Sequence, residues 1–278
     1  MKQIVIEPQK LEEIKKEHLN YCKQRKNIKI LDLSDEDYCN LFIENPFDKN
    51  GILKTIYQEK YSKYKFKNEY KYFRTPHKNS KSKWCAARLI EMLNINVCPY
   101  CGQQYFSIIE DKNKKIIAEA NLDHYLPISK CQYLALNLYN LIPVCRCCNS
   151  TFKLDSDKQI VNPYHIALED EIGFNLNNLS IINYFINNGI IDFEILNKNA
   201  SQFVDNHIEV LRLKEKYVYY QSMIKTLIHK KQIFNQNYIQ ELKPYISIDI
   251  ENLFIRQDLF NDNEPFLKFK RDIWEQLL

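Results

Sequence analysis

Four cysteines of this 278-residue chain stand in two pairs, each with a two-residue spacer: Cys98-Pro-Tyr-Cys101 and Cys145-Arg-Cys-Cys148. This spacing lets both thiolates of a pair bind one ion, and two such pairs form a closed tetrahedral site that suits Zn²⁺. Such a site has no open position for catalysis, so its predicted role is structural. Cys147 offers a fifth thiol, but Cys148 has the better spacing and is the predicted ligand. The alternative is a set of buried free thiols.

Five polar residues near these pairs could take part in phosphodiester hydrolysis. Asp123, His124 and Asn140 lie between the two cysteine pairs, and Asn149 and Lys153 follow the second pair. Such hydrolysis needs an activated water, a cation that neutralises developing charge, and a group that orients the base. His124 is the base that this cluster offers at neutral pH. Alone, a histidine is more often a hydrogen-bonded structural residue and an asparagine a turn residue. Their order between the cysteine pairs favours a hydrolytic site.

Over about 58 residues, from Cys98 to Asp155, the chain resembles the HNH endonucleases of the ββα-metal fold. The motifs that carry the resemblance are the second cysteine pair together with Asp123-His124 before Pro127, Asn140-Leu141, and Asn149 with Lys153. The resemblance implies a metal-dependent endonuclease that hydrolyses nucleic acid, with DNA favoured, and leaves a 5′-phosphate and a 3′-hydroxyl. The alternative function is a non-catalytic zinc-ribbon protein that binds nucleic acid or acts as an adaptor.

The resemblance also assigns a role to each polar residue. His124 is implied to be the general base, Asn140 the residue that orients the His124 backbone or ring, and Asp123 and Asn149 the ligands of a catalytic metal. Lys153 comes four residues after Asn149, on the same face of a helix, where it could contact a phosphate. Histidine-richer members of the family often have histidine at these last two positions. Oxygen ligands suit harder cations, so we predict a catalytic Mg²⁺ or Mn²⁺ in addition to the structural zinc.

A narrower similarity lies in Leu122–Lys130, Tyr133–Leu136 and Leu138–Pro143, which are similar to HNH proteins of bacterial anti-phage loci. The similarity is in particular to the nuclease component of Septu-type systems and of some retron-linked systems. This similarity implies a role in antiviral defence with an ATPase partner of the SMC-like or ABC class. The chain has no Walker motif, so any nucleotide dependence must come from another chain. The helical C-terminal third is then either a docking surface or an ordinary bundle that completes the core.

The net charge of +4 is concentrated in one segment. Between Lys54 and Lys83 there are ten Lys or Arg against two Glu, so the rest of the chain sums to a charge of minus four. Because positive charge tracks a phosphate backbone and the interspersed Tyr and Phe rings could stack on bases, the segment is a candidate substrate groove. The alternative is a solvated charged face. The predicted phosphate contacts are Lys63, Lys65, Lys67, Lys71 and Arg74.

Pattern and resemblance together predict an α+β fold that is mainly helical around a central ββα-metal (HNH) module, held together by the four-cysteine zinc site. Three regions are expected: residues 1–95 form a helical N-terminal region with the basic aromatic segment, 96–165 the nuclease domain with its zinc knuckles, and 166–278 a β-hairpin with a helical C-terminal region. Local signals predict an N-cap at Ser34, a helix over 80–94, a hairpin of 180–186 with 190–196 around an Asn-Gly turn, and helices over 203–234 and 237–242.

Composition excludes several classes of protein. With 45% apolar residues the chain can bury a sizeable core, which excludes intrinsic disorder for most of its length. It has no run near the roughly 20 apolar residues of a membrane helix and no apolar signal-peptide stretch, so a cytoplasmic protein without a membrane partner is predicted. Cysteines seldom form disulfides in a reducing compartment, which again favours a metal site.

Overall fold

The structure is a computed structural model of the chain, and it describes residues 1–75, 84–112, 116–156, 158–233, 236–242, 244–245 and 264–277. The helices that precede the first strand are α1 (Pro8–Gln24), α2 (Lys26–Lys29), α3 (Asp35–Phe42), α4 (Thr55–Tyr61), α5 (Lys67–Arg74) and α6 (Ala86–Leu93). Within these described ranges, no helix combines the length and the apolar character that a membrane crossing requires.

The strands of the described residues form small antiparallel sheets of two strands each: β1 (Ile108–Glu110) with β2 (Ile116–Ala118), β3 (Asn121–His124) with β4 (Leu141–Val144), and β5 (Ile172–Leu176) with β6 (Phe193–Asn197). A π-helical segment, the knuckle helix, spans Cys148–Lys153. The later helices are α7 (Leu168–Glu171), α8 (Asn178–Asn187), α9 (Gln202–Val210), α10 (Leu213–Val218), α11 (Gln221–Ile233), α12 (Gln236–Leu242) and α13 (Leu267–Gln276). The chain is therefore a mixed protein of helices and small sheets, in agreement with the predicted α+β class.

The β3–β4 hairpin is the element that carries the candidate site. Asp123 pairs with Ile142 and His124 with Leu141, and all four residues of β4 are buried. Helix α5 packs against this hairpin, because the Tyr70 hydroxyl donates a hydrogen bond to the Leu122 carbonyl at 3.0 Å. The chain leaves β4 directly into the second cysteine pair and the knuckle helix. Two polar strand residues are thus held inside the protein rather than on its surface.

Two N-terminal predictions can be compared with the structure. Ser34 is the N-cap of α3, and its hydroxyl accepts a hydrogen bond from the backbone N–H of Asp37 at 3.1 Å, which confirms that prediction. The helix predicted over 80–94 begins at Ala86 and ends before Asn94, which has the left-handed φ of 53° typical of a helix end. Residues 80–83 lie outside the described residues.

The predicted hairpin of 180–186 with 190–196 is wrong in its first strand, because those residues belong to α8. The side chain of Asn177 caps this helix by accepting from the backbone N–H groups of Leu179 (3.0 Å) and Ser180 (3.3 Å). Asn188 ends it with a φ of 52°, so the Asn-Gly step terminates a helix instead of turning a hairpin. The second predicted strand does exist as β6, and its partner is β5 on the other side of α8.

The single helix predicted over 203–234 is divided into α9, α10 and α11. The first break lies at Arg212, whose φ is 48°. Leu211 and Leu213 flank this break, and both are fully buried. On one continuous helix, residues two apart point about 200° away from each other, so only one of them could face the core. The break lets both leucines be buried.

His18 lies at the centre of the packed N-terminal helices. Its Nδ1 accepts from the Trp84 indole N–H at 3.0 Å, so its Nε2 carries the proton and donates to the Leu136 carbonyl at 2.7 Å. Burial lowers the pKa of His18 to about 4, although the Leu136 hydrogen bond opposes that shift. The ring is therefore neutral at pH 7, with both nitrogens satisfied. Its role is structural.

This buried histidine should make stability depend on pH. The unfolded chain takes up a proton near pH 6.5 and the folded one only near pH 4, so the free energy of unfolding falls as pH falls between those values. The contribution of His18 across this window is about 3 kcal/mol. Urea unfolding at several pH values should show a shallower pH dependence for His18→Gln than for the wild type. Parallel curves for the two proteins would contradict the assignment.

Candidate metal centre and hydrolytic site

The four cysteines of the two predicted pairs lie together in the structure. Their Sγ atoms are all within 4.8 Å of one another, all four residues are buried, and Cys101 and Cys145 have their sulfurs 3.9 Å apart. Tetrahedral Zn²⁺ with Zn–S bonds of about 2.3 Å requires sulfurs about 3.8 Å apart. The four thiols therefore fit a zinc ion, and their donor set suits zinc chemically. Cys147 lies outside the cluster.

Backbone geometry prepares both pairs for a common ion. In the first pair, the N–H of Gly102 donates to the Cys98 carbonyl at 2.8 Å, and Gly102 has a left-handed φ of 64° that favours glycine. In the second pair, the N–H of Cys145 points at the Cys98 sulfur and that of Cys148 at the Cys145 sulfur, each at 3.4 Å. Amide groups directed at sulfur stabilise thiolates and orient metal ligands.

Helices α9 and α10 support the cysteine cluster from the C-terminal part of the chain. Lys216 Nζ lies 3.3 Å from the Cys148 sulfur, and the Tyr217 hydroxyl donates to the Cys101 carbonyl at 2.7 Å. Four thiolates on Zn²⁺ carry a net charge of minus two, so the ammonium of Lys216 offsets half of it. Sequence analysis missed these residues, because no local spacing connects Lys216 with Cys148, 68 residues before it, or Tyr217 with Cys101, 116 residues before it.

Asp123 is held by the first cysteine pair and by the knuckle helix. The Tyr100 hydroxyl, from within the first pair, donates to its Oδ2 at 2.8 Å. Lys153 Nζ lies 3.0 Å from Oδ2 and 3.3 Å from Oδ1. Burial raises the pKa of the Asp123 carboxyl, and the charge and hydrogen bond of Lys153 together with Tyr100 lower it only in part. The carboxylate is therefore fully engaged by protein groups.

Lys153 lies inside the protein and not at a surface where it would meet a phosphate. Its side chain is 3% exposed, and besides Asp123 its Nζ donates to the His124 carbonyl at 2.7 Å. The reason is that the knuckle helix packs directly beneath β3, so a side chain on its last turn reaches the strand. As placed, the predicted phosphate contact of Lys153 is replaced by an internal ion pair.

His124 has the geometry of an oriented base. Its Nε2 lies 3.0 Å from the Ala135 carbonyl, which fixes the proton on Nε2, and no described residue forms a hydrogen bond to its Nδ1. The Tyr70 ring of α5 packs edge-on against the imidazole with ring centres 4.3 Å apart. Burial lowers the pKa of His124 to about 4, with the Ala135 hydrogen bond opposing the shift and Lys153 adding to it. At neutral pH its Nδ1 therefore carries a lone pair that can accept a proton.

Asn140 acts on His124 indirectly. Its Oδ1 accepts from the Leu126 N–H at 2.8 Å, and its Nδ2 donates to the carbonyls of Leu126 (3.2 Å) and Leu134 (3.1 Å). These bonds close the segment that runs from the end of β3 to Ala135. Asn140 therefore holds in place the carbonyl that orients the His124 ring, and its own side-chain hydrogen bonds go to Leu126 and Leu134.

A catalytic Mg²⁺ or Mn²⁺ on Asp123 and Asn149 does not fit these residues as the structure arranges them. Both oxygens of Asp123 already accept hydrogen bonds from buried groups. Asn149 is half-buried at the start of the knuckle helix, and within the described residues its side chain has no hydrogen-bond partner. A hard divalent cation needs several oxygen ligands and usually keeps bound water, and with Lys153 in place the buried carboxylate offers neither.

The basic segment is adjacent to the site, but its rings serve mainly as core. Tyr57, Tyr61, Phe66, Tyr70 and Phe73 are buried and cannot stack on bases. The five basic side chains of the predicted phosphate contacts are exposed: Lys63, Lys65, Lys67, Lys71 and Arg74. Lys67 lies three residues before Tyr70 and Arg74 four residues after it. All three therefore share one side of α5, the side whose Tyr70 ring packs against His124. Positive charge therefore lies beside the candidate base.

Comparison of the chain with models of known protein families, with characterised proteins and with solved structures finds no match. The fold and the site themselves define the class of protein. It is a mainly helical α+β protein with a buried four-cysteine cluster that can hold zinc.

Proposed function

We propose that this protein is an HNH-type endonuclease that hydrolyses phosphodiester bonds of nucleic acid, with His124 as the general base. The observation that carries the proposal is the bond between His124 Nε2 and the Ala135 carbonyl, because it leaves Nδ1 unprotonated. A base in this state can take a proton from an attacking water at neutral pH. The resemblance of the surrounding motifs to HNH endonucleases supplies the reaction class.

In the proposed reaction, Nδ1 of His124 removes a proton from water as the water oxygen forms a bond to phosphorus. The bond from phosphorus to the 3′ oxygen breaks, and the leaving oxyanion takes a proton from solvent water, which leaves a 5′-phosphate and a 3′-hydroxyl. Asn140 and the Ala135 carbonyl hold the imidazole in orientation. Zinc on the four cysteines supplies structure only, because a site with four thiolates has no free position. The Mg²⁺ or Mn²⁺ that the resemblance implies has no fitted ligand set, so no step depends on it.

The proposed substrate is DNA, and the proposed biological role is anti-phage defence with an ATPase partner. The substrate comes from the resemblance to HNH endonucleases, and the role and the partner come from the narrower similarity to Septu-type and retron-linked nucleases. One observation supports a partner surface in the C-terminal third: α8, which carries no charged residue, and the segment just after it expose large apolar side chains. These are Leu179, Ile182, Phe185, Ile186 and Ile190. A contiguous apolar face of this kind is typical of an interaction site.

The test of the proposed function is a cleavage assay with purified protein. Supercoiled plasmid, single-stranded DNA and RNA are each incubated with EDTA, Mg²⁺ or Mn²⁺, alone and with the ATPase encoded beside the gene, if one is found. Cleavage that depends on His124 supports the proposal. Binding without cleavage under every condition would instead identify the zinc-ribbon binding protein.

Charge reversal on α5 tests the proposed phosphate contacts. Lys67→Glu/Arg74→Glu should weaken DNA binding at least tenfold, about the effect of losing two phosphate contacts, and should reduce the slope of log K against log salt by about 2. The measurement is fluorescence anisotropy with a labelled duplex over a salt series. The matched control is Lys16→Glu/Lys198→Glu, which makes the same charge change at exposed positions elsewhere. Equal effects of the two variants would assign the loss to net charge alone.

A further inference from the structure

Lys153 and Asp123 form a buried ion pair directly beneath the candidate base. Their side chains are 3% and 4% exposed. A lysine ammonium has three hydrogen-bond donors, and here three oxygens surround Nζ: the His124 carbonyl at 2.7 Å and the two Asp123 oxygens at 3.0 and 3.3 Å. The ammonium is therefore fully satisfied inside the protein, which is the condition for burying such a charge.

The pair leaves no room for a second cation on the same carboxylate. A divalent ion on Asp123 would lie within a few ångströms of the Lys153 ammonium, and like charges repel strongly where water is excluded. Moving Lys153 away would leave an ammonium buried without its partner or force its side chain out through packed residues. The Tyr100 hydroxyl takes a further position on Oδ2.

We propose that the Lys153 ammonium replaces the divalent cation at Asp123, so that Asp123 is a structural anchor and not a metal ligand. Lys153 is then a positioning residue: it ties the knuckle helix to β3 at the Asp123 carboxylate and at the His124 backbone. This inference rests on the proposed function in one respect only, namely that the residue beside the Lys153–Asp123 pair, His124, is the general base. The cation binding that it excludes is measured without any substrate.

The experiment is a titration of the zinc-loaded protein with Mn²⁺, followed by the loss of the free-ion signal in electron paramagnetic resonance. The wild type should bind no Mn²⁺ with a dissociation constant below ~1 mM, the weak end of protein cation sites. Asp123→Asn should give the same titration. A wild-type Mn²⁺ site that disappears in Asp123→Asn would overturn the proposal, and this comparison needs no variant at Lys153.

Removal of the lysine should create the site. Lys153→Met should gain one Mn²⁺ bound at least about tenfold more tightly than in the wild type, and the double variant Lys153→Met/Asp123→Asn should lose it again. Zinc content and circular dichroism establish that each variant is folded. Lys158→Met is the matched control, because Lys158 forms an exposed pair with Glu209. A folded Lys153→Met without a new Mn²⁺ site would contradict the proposal. Either result is independent of whether the protein cleaves nucleic acid.

Discussion

Replacing Cys148 with serine is expected to remove about one equivalent of zinc per chain and to destabilise the fold strongly. Structural zinc supplies on the order of 10 kcal/mol of folding free energy, because the site does not exist in the unfolded chain. Serine keeps the volume but cannot act as a soft thiolate ligand. The measurements are zinc content by inductively coupled plasma mass spectrometry and thermal unfolding by circular dichroism.

Cys147→Ser is the matched control for this experiment. Cys147 is the neighbouring residue, half-buried, and its sulfur lies outside the cluster, so its replacement should leave one zinc bound and the melting temperature nearly unchanged. Cys98→Ser should behave like Cys148→Ser. If Cys148→Ser kept its zinc, or if Cys147→Ser lost it, the proposed ligand set would be refuted.

The expected loss is large because the cysteine cluster links distant parts of the chain. Tyr100, between the first two cysteines, bonds to Asp123 on β3. From the other side, His207 of α9 lies within hydrogen-bond distance of the Tyr100 carbonyl at 2.9 Å, and Tyr217 of α10 donates to Cys101. Disorder in the first pair would therefore release both the hairpin that carries the candidate base and the C-terminal helices. Chelation of zinc should have the same effect as Cys148→Ser.

Sequence reasoning succeeded where the signal is local. The cysteine spacing brought the correct four sulfurs together, including the choice of Cys148 over Cys147, because a two-residue spacer has one geometry around an ion. The N-cap at Ser34 is also a local signal. Sequence-based prediction failed where one local signal is compatible with two structures. The Asn-Gly step after residue 187 can form a hairpin turn or end a helix, and the N-cap at Asn177 favours the helix.

Contacts between distant segments could not be predicted from spacing. Its position on a helix face predicts that Lys153 is a surface residue. In the structure its ammonium instead contacts the carboxylate of Asp123, 30 positions earlier in the chain. Likewise the sequence predicted that aromatic rings of the basic segment stack on nucleic-acid bases. In the structure Tyr70 packs against the buried His124, and Phe73 packs against the buried His18. In both cases the deciding partner comes from a segment that no local pattern connects to the residue.

Replacement of His124 by alanine is expected to lower the cleavage rate by about 10²- to 10⁴-fold, the usual contribution of a positioned general base. Zinc content and DNA affinity should stay at the wild-type level, because His124 neither belongs to the cysteine cluster nor lies among the exposed basic residues. His165→Ala is the control histidine: it is half-buried in a loop, with Asn45 and Phe47 as its neighbours. Its cleavage rate should equal that of the wild type. Cleavage that survives His124→Ala, with zinc and fold intact, would refute the assigned role.

The pH dependence of cleavage gives an independent test of the same residue. Because burial lowers the pKa of His124 to about 4, its neutral form is the main form throughout the neutral range. The rate should therefore be nearly constant from pH 8 to pH 6 and should fall tenfold per pH unit only below about pH 4, where protonation removes the base. A rate that instead halves near pH 6.5 would show an imidazole in ordinary contact with water. In that case the Ala135 carbonyl and the Tyr70 ring would not enclose the base during the reaction as they do in this structure.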